Sequence, residues 1–306
     1  MTRMSGGATR AALPGGRWHF QHGPIDLVIG ADGDPAAVSA AHAAAWARFG
    51  TVLIELVAEL SLLRQPVAVL LQQSGPQGRI ASRMAQACAP FAPEFITPMA
   101  AVAGSVAQEL IALYQRDGIR RAWVNNGGDI ALHLADGESV RVGLYTDLSR
   151  LDGAAATLAA SGSLPIDGRM TLHADSGVRG VATSGWRGRS LSMGIADSVT
   201  VLAATAAMAD AAATLIANAV DVDDPGIERR PASELRDDSD LGDRLVTADV
   251  PRLSDVKCQA ALEAGAVRAE AFRRRGLIVA AALVCQGQLR KVGALAAPAG
   301  VPALVQ

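Results

Sequence analysis

Two oxygen-bearing side chains four residues apart are the first sign of chemistry. Asp210 and Thr214 lie in the run 208–214, MADAAAT. On a helix that spacing places both on one face, one turn apart. A carboxylate and a hydroxyl so placed can both reach a hard cation such as Mg²⁺, which takes oxygen ligands and keeps phosphate oxygens in its shell. The alternative is a solvated Asp beside a Thr bonded back to its own helix. The flanking residues are Ala, Leu, Ile and Met, and a carboxylate in such company usually has a partner. Asp210 and Thr214 are therefore the candidate metal ligands.

Three further segments carry candidate binding groups. In 124–130, VNNGGDI, the residues Asn125, Asn126, Gly127, Gly128 and Asp129 join two strand-like runs. Glycines admit positive φ and let backbone N–H groups come close to a ligand, so the turn can hold a phosphate while Asp129 faces a ribose or a base. The same residues also suit a plain hairpin. Thr183, Ser184 and Gly185 offer a hydroxyl pair at a strand end, a pattern common in loops. Arg187 and Arg189 follow, as phosphate partners or as solvated loop charges. No Ser-His-Asp or Cys-His arrangement stands out, and His133 and His173 fall inside expected strands, so no catalytic residue is assigned.

These groups need a scaffold, and periodicity supplies one. A strand is expected at 25–29, then helix from 36 to about 63, bent or broken at Gly50. Thr97 and Pro98 make a helix start, with a hydroxyl at the N-cap and Pro at N1, and that helix runs to about Arg116. Strands follow at 121–124, 130–134, 140–144, 170–173 and 180–183, with Asp136-Gly137 as a hairpin signal between the second and third. A strand at 199–202 leads into an Ala-rich helix over 204–220. Residues 221–255 are charged, Pro-containing and aperiodic, and read as a surface excursion. Helix returns at 260–275, and 277–284 is a buried strand. This is an α/β chain built of α+β mixed-sheet layers rather than a doubly wound parallel sheet. No GxGxxG follows a strand, which argues against a dinucleotide-binding unit.

Composition bounds the rest. The chain has 306 residues, half of them hydrophobic and 19% charged, which predicts a folded chain. The expected organisation is one domain over 1–306 with short flexible termini. With 28 basic and 30 acidic residues and no long block of like charge, bulk nucleic-acid or anionic-membrane binding is not expected. Cys88, Cys258 and Cys285 are scattered, which suggests neither a disulfide framework nor a zinc site. The N-terminus lacks an apolar h-region and the most apolar runs are short or interrupted by Asp210. A cytoplasmic protein without a membrane span is expected, with room for a homo-oligomer.

Taken together, Gly127-Gly128-Asp129, Thr183-Ser184-Gly185, Val199-Thr200-Val201 and Ala209-Asp210 with Thr214 resemble, in order, the GGD turn, TSG loop, VTV strand and AD-x-x-x-T helix of the ApbE family of FAD:protein FMN transferases. The matched parts span about 97–220. The resemblance implies an ApbE-like fold, a phosphate-bearing cofactor or precursor as partner, Mg²⁺, and FAD as one candidate ligand. Two features depart from it. Gly104 stands where the transferases usually carry Lys, and 189–197 lacks their His and Pro. In these departures, in the Ala-Val-Ala-Gly helix, in the NNGGD turn and in the ADAAAT helix that ends Asn218-Ala219-Val220, the chain is closer to an uncharacterised ApbE-like group of methanogens and methylotrophic bacteria. That likeness implies cofactor biosynthesis in one-carbon metabolism, with a pterin of the tetrahydromethanopterin type as the ligand. The alternatives are flavin transfer to a Thr or Ser, and a non-catalytic flavin- or pterin-binding carrier.

Overall fold

The architecture comes from a computed structural model that describes residues 7–144 and 168–294. The expected terminal tail lies outside the described residues. Thirteen strands are present among them: β1 Thr9–Leu13, β2 Arg17–His22, β3 Ile25–Gly33, β4 Ile119–Asn126, β5 Asp129–Leu134, β6 Ser139–Leu144, β7 Gly168–His173, β8 Gly180–Ser184, β9 Ser198–Ala203, β10 Glu228–Pro231, β11 Leu245–Asp249, β12 Ala280–Cys285 and β13 Gln288–Val292. Nine of them form one sheet in the order β1-β2-β3-β4-β5-β8-β9-β12-β13. Every neighbouring pair in it is antiparallel. Helices cover one face, so the layers are those of a mixed α/β fold.

The main helices are α1 Pro35–Ala58, α2 Arg79–Cys88, α3 Val102–Ile111, α4 Ala206–Ala219 and α5 Asp255–Arg274. Period-2 alternation in the strands sends Leu27, Ile29, Val124, Val199, Val201 and Leu283 into the core beneath them. The opposite face is smaller. Leu132, Val181, Leu202 and Ala280 meet Val142, Met170 and Leu172 of the separate β6–β7 ribbon there.

Several elements differ from expectation for identifiable reasons. Helix α1 does not break at Gly50. A mid-helix glycine costs only about 1 kcal/mol, and burial of Phe49, Val52, Leu53 and Leu56 on either side of it keeps the helix continuous. Its start is fixed by Pro35 and by the Asp34 carboxylate, which accepts from the N–H groups of Ala36 and Ala37. By length and composition α1 would suffice to cross a membrane; its buried stripe packs on the sheet and on α3.

The turn at Asp136-Gly137 does not close a β5–β6 hairpin. Both edges of β5 are already occupied, by β4 and by β8, so the chain swings out and β6 pairs with β7 instead. Thr97 does not cap its helix. Its hydroxyl donates to Asp240, and a 3-10 turn over Pro98–Ala101 precedes α3. The segment 221–255 contains the β10–β11 ribbon and reaches back over the helical layer.

The N-terminal β1–β2 hairpin, unexpected from the sequence, is fastened by rings. Phe20 is fully buried, with Trp46 5.1 Å away edge-on and Phe49 at 5.5 Å. Arg10 lies over Trp18 and Trp46 at 5.2 and 5.0 Å. If this cluster anchors the edge of the sheet, Phe20→Ala should destabilise the fold by about 3–5 kcal/mol, read from urea denaturation. A loss under about 1 kcal/mol would mean the hairpin is dispensable.

Candidate functional site

Helix α4 is the central element. The Thr205 hydroxyl caps it by accepting from the Met208 N–H, and its Ala residues 206, 207, 209, 211, 212 and 213 are all buried. Such short side chains let neighbouring backbones approach. One such approach is at Gly104 of α3, where a Cβ would run into the Ala206 carbonyl and the Asp210 side chain. At that contact Asp210 meets the start of α3, whose first N–H groups have no partner within their own helix. The α3 N-cap position is Ala101, which offers no side-chain bond. Asp210 supplies it from another helix: its Oδ2 accepts from the Gly104 N–H at 2.9 Å, and the Ala103 N–H is also directed at the carboxylate.

Asp129 arrives from the other side. It follows the 127–128 turn at the start of β5, and its Oδ1 accepts from the Thr183 N–H of β8 at 3.2 Å. Asp129, Asp210 and Thr214 all line one cleft of about 260 Å³. Its apolar wall includes Phe95, Ile96, Met99, Leu191, Met193 and Leu241. Its rim carries Arg236, Asp238, Ser239 and Asp240, which belong to the segment read as a surface excursion.

The two carboxylates feel each other. Burial raises the pKa of Asp129 to about 7, against the opposing pull of the Thr183 N–H and of Arg189. Burial raises Asp210 well above the usual carboxylate range, and the charge of Asp129 adds to it; the Gly104 and Ala103 N–H groups oppose the shift. A cation held by these carboxylates would relieve both the burial of charge and the repulsion. The donor set fits one: two carboxylates and a hydroxyl are the usual protein share of a Mg²⁺ shell completed by water and phosphate. Among the described residues no group of three or more His, Cys, Asp or Glu comes together as a metal cluster.

The other candidates divide. Asn125 closes its turn by accepting from the Gly128 N–H at 2.8 Å, and Asn126 donates to the Ala103 carbonyl at 3.2 Å. Gly127 and Gly128 have φ of 64° and 113°, as a tight turn requires. The Gly128 N–H is therefore already engaged. The Thr183 hydroxyl shares a hydrogen bond with that of Thr200 at 2.9 Å, while a Cβ on Gly185 would strike the Ala196 and Asp197 carbonyls. Ser184 ends β8. Arg187 is exposed, with its guanidinium 4.7 Å from the Trp186 ring. Arg189 instead lies on Gly127.

A family model described as AbpE bacteria matches residues 10–291. The chain belongs to this ApbE-like family. It is 36% identical over 229 residues to a UPF0280 protein of Methanopyrus kandleri, covering 74% of this chain and 83% of that one. It is 30% identical over 212 residues to a UPF0280 protein of Methanosarcina acetivorans, covering 69% and 75%. A third, from Methanothermobacter thermautotrophicus, is 40% identical over 144 residues, 47% of this chain and 50% of that one. Among solved structures, the apo flavinyl transferase ApbE of Pseudomonas stutzeri overlaps 93% of this chain and 94% of its own, with a TM-score of 0.40 and 16% identity.

In this ApbE-like chain some site residues escaped sequence reasoning. Asn218 continues the face of Asp210 and Thr214 by one more turn. Its Oδ1 accepts from the Ser192 hydroxyl at 3.1 Å and the Met193 N–H at 2.9 Å, and so pins the 190–193 wall of the cleft. The i, i+4, i+8 spacing was available as a signal. Thr97 and Asp240 join residues 143 positions apart, and no local pattern announces such a pair.

The raised carboxylates have a consequence for stability. An unfolded Asp titrates near 3.9. Between about pH 4 and 7 the folded chain holds more protons at Asp129 and Asp210 than the unfolded chain, so stability from this pair falls as pH rises through that window. Urea unfolding from pH 4 to 8 should show that slope in the wild type and a shallower one in Asp210→Asn. Equal slopes would mean that Asp210 is not raised in the folded chain.

Proposed function

We propose that the chain binds a phosphate-bearing cofactor in this cleft together with a divalent cation, as a cytoplasmic cofactor-handling enzyme of the ApbE-like family. The observation that carries the reading is the convergence of Asp129 and Asp210, from separate parts of the chain, on one cleft beside Thr214. Two mutually destabilising carboxylates facing a pocket are the arrangement a cation resolves. When bound, the cation would act as a Lewis acid on a phosphate oxygen. The protein's own groups do the rest. Asp210 stays oriented through the α3 N–H groups, Asp129 through Thr183, and the apolar wall offers a surface for a flat heteroaromatic ring. A pterin of the tetrahydromethanopterin type is the ligand class we favour. It rests on the similarity to proteins of Methanopyrus, Methanosarcina and Methanothermobacter.

Flavin transfer to a protein hydroxyl is the second reading, and Gly104 speaks against it. A long cationic side chain at that position would have to displace the Ala206 carbonyl and Asp210, so the contact excludes the Lys that the transferases usually carry there. Incubation with FAD, Mg²⁺ and an acceptor bearing a flavinylation motif should give no fluorescent band. A flavinylated acceptor would make the chain a transferase after all. Mass spectrometry of the small molecule that co-purifies separates pterin from flavin.

Asp210→Asn tests the cation itself. The amide oxygen can still cap α3, so the melting temperature should hold or rise. Mg²⁺ affinity in calorimetry should fall by about 1.5–3 kcal/mol, the worth of a charged contact. A sharp fall in melting temperature with Mg²⁺ binding intact would reduce Asp210 to a helix cap.

A further inference from the structure

The glycine turn was a candidate phosphate cradle, yet the Gly128 N–H is already donated to Asn125. An anion at this turn needs another donor. The structure places one on the turn itself. Arg189 lies with its guanidinium in the space a Cβ on Gly127 would occupy. Gly127 thus serves twice, for its positive φ and for the room it leaves. Next to it Gly128 is open, with nothing within 4 Å of where its Cβ would stand. The positive charge of Arg189 acts on Asp129, the carboxylate that begins the next strand. Arg187, two residues earlier, lies over Trp186 instead.

Resting on the reading of the cleft given above, we infer that Arg189 is the anion-binding group of this site and that it changes partner on loading. Without ligand it balances Asp129 across the glycine turn. Once a divalent cation neutralises that carboxylate, Arg189 turns to the ligand's phosphate, which its fork of N–H donors fits. Arg189 is exposed on the 185–194 loop, so its side chain can move without disturbing the core. The exchange couples the two ligands: cation binding releases the group that takes the anion, and anion binding removes the charge that competes with the cation.

The two partners give opposite signs in one variant, which is the test. Calorimetry would measure Mg²⁺ alone, then inorganic pyrophosphate at saturating Mg²⁺, for the wild type, Arg189→Gln and Arg189→Lys. Removing the guanidinium should weaken pyrophosphate at least about tenfold, as loss of a charge-assisted contact does. It should also tighten Mg²⁺ alone by a few-fold, about the effect of removing one nearby like charge from a solvated site. Arg189→Lys should recover part of the pyrophosphate affinity, and the melting temperature should stay at the wild-type value in both. If Arg189→Gln binds pyrophosphate as the wild type does while Mg²⁺ binds normally, Arg189 has no role and the cation reading survives. If Arg189→Gln loses both ligands and melts lower, Arg189 is structural and the exchange is wrong. If the wild type does not bind Mg²⁺, the cation reading falls and takes the exchange with it.

Discussion

The cleft depends on how closely α3 approaches α4. A helix start leaves N–H groups that need acceptors and carries a partial positive charge. At α3 those groups are met by Asp210, a carboxylate from a different helix. Only a glycine at 104 lets the two backbones come near enough, since any Cβ there would strike the Ala206 carbonyl. The buried alanines of α4 do the same work on its other sides. One contact therefore fixes the direction of Asp210, the depth of the cleft and the side-chain size tolerated at position 104. The price is a carboxylate that, among the described residues, has no cationic side chain bonded to it, beside a second one of the same sign. That tension is what supports reading the place as a site and not merely as a joint between helices.

Much of this was readable in the residues, for physical reasons. Asp210 and Thr214 follow from helical spacing, and their apolar neighbours already said that the carboxylate needs a partner. The helix over 206–219 and the strands at 119–126, 129–134, 180–184 and 198–203 follow from periodicity and from turn glycines. The partners were not readable. That Asp129 bonds β8 at Thr183 follows from the order β4-β5-β8, a sheet crossover that local pattern does not encode. The same order explains why Asp136-Gly137 misleads: its sequence suits a hairpin, but both edges of β5 are taken. Gly50 misleads in the opposite way, because tertiary burial outweighs a small propensity cost. The charged stretch 221–255 lacks periodicity because it is a rim, where Arg236 and Asp240 face the cleft and not a core.

Arg187 and Arg189 show the limit of spacing arguments in loops. Both follow the Gly185 turn and either suits an anion by type. Side-chain contacts separate them. One lies over an indole ring, the other on the backbone of the glycine turn. A two-residue difference in a loop carries no periodic signal, so only the folded geometry could assign them.

The sign of the cleft now constrains what can enter it. Its lining carries Asp129, Asp210, Asp238 and Asp240 against Arg236. Asp238 lies 3.7 Å from Arg64 and is largely solvated, so its charge is mostly screened. Asp129 and Asp210 lie deeper and are screened less. A bare phosphate approaching them would meet repulsion, whereas on the proposed reading one that arrives with a cation would find both carboxylates as ligands and Arg189 at the turn beside them. On that reading the acidic floor would select against free anions and for metal-complexed ones. It does so through charges whose cost in the empty protein is relieved only when such a complex is bound. Specificity for the rest of a ligand would then fall to the apolar wall of Phe95, Met99, Leu191 and Met193, since apolar side chains select by the contact area they bury rather than by charge.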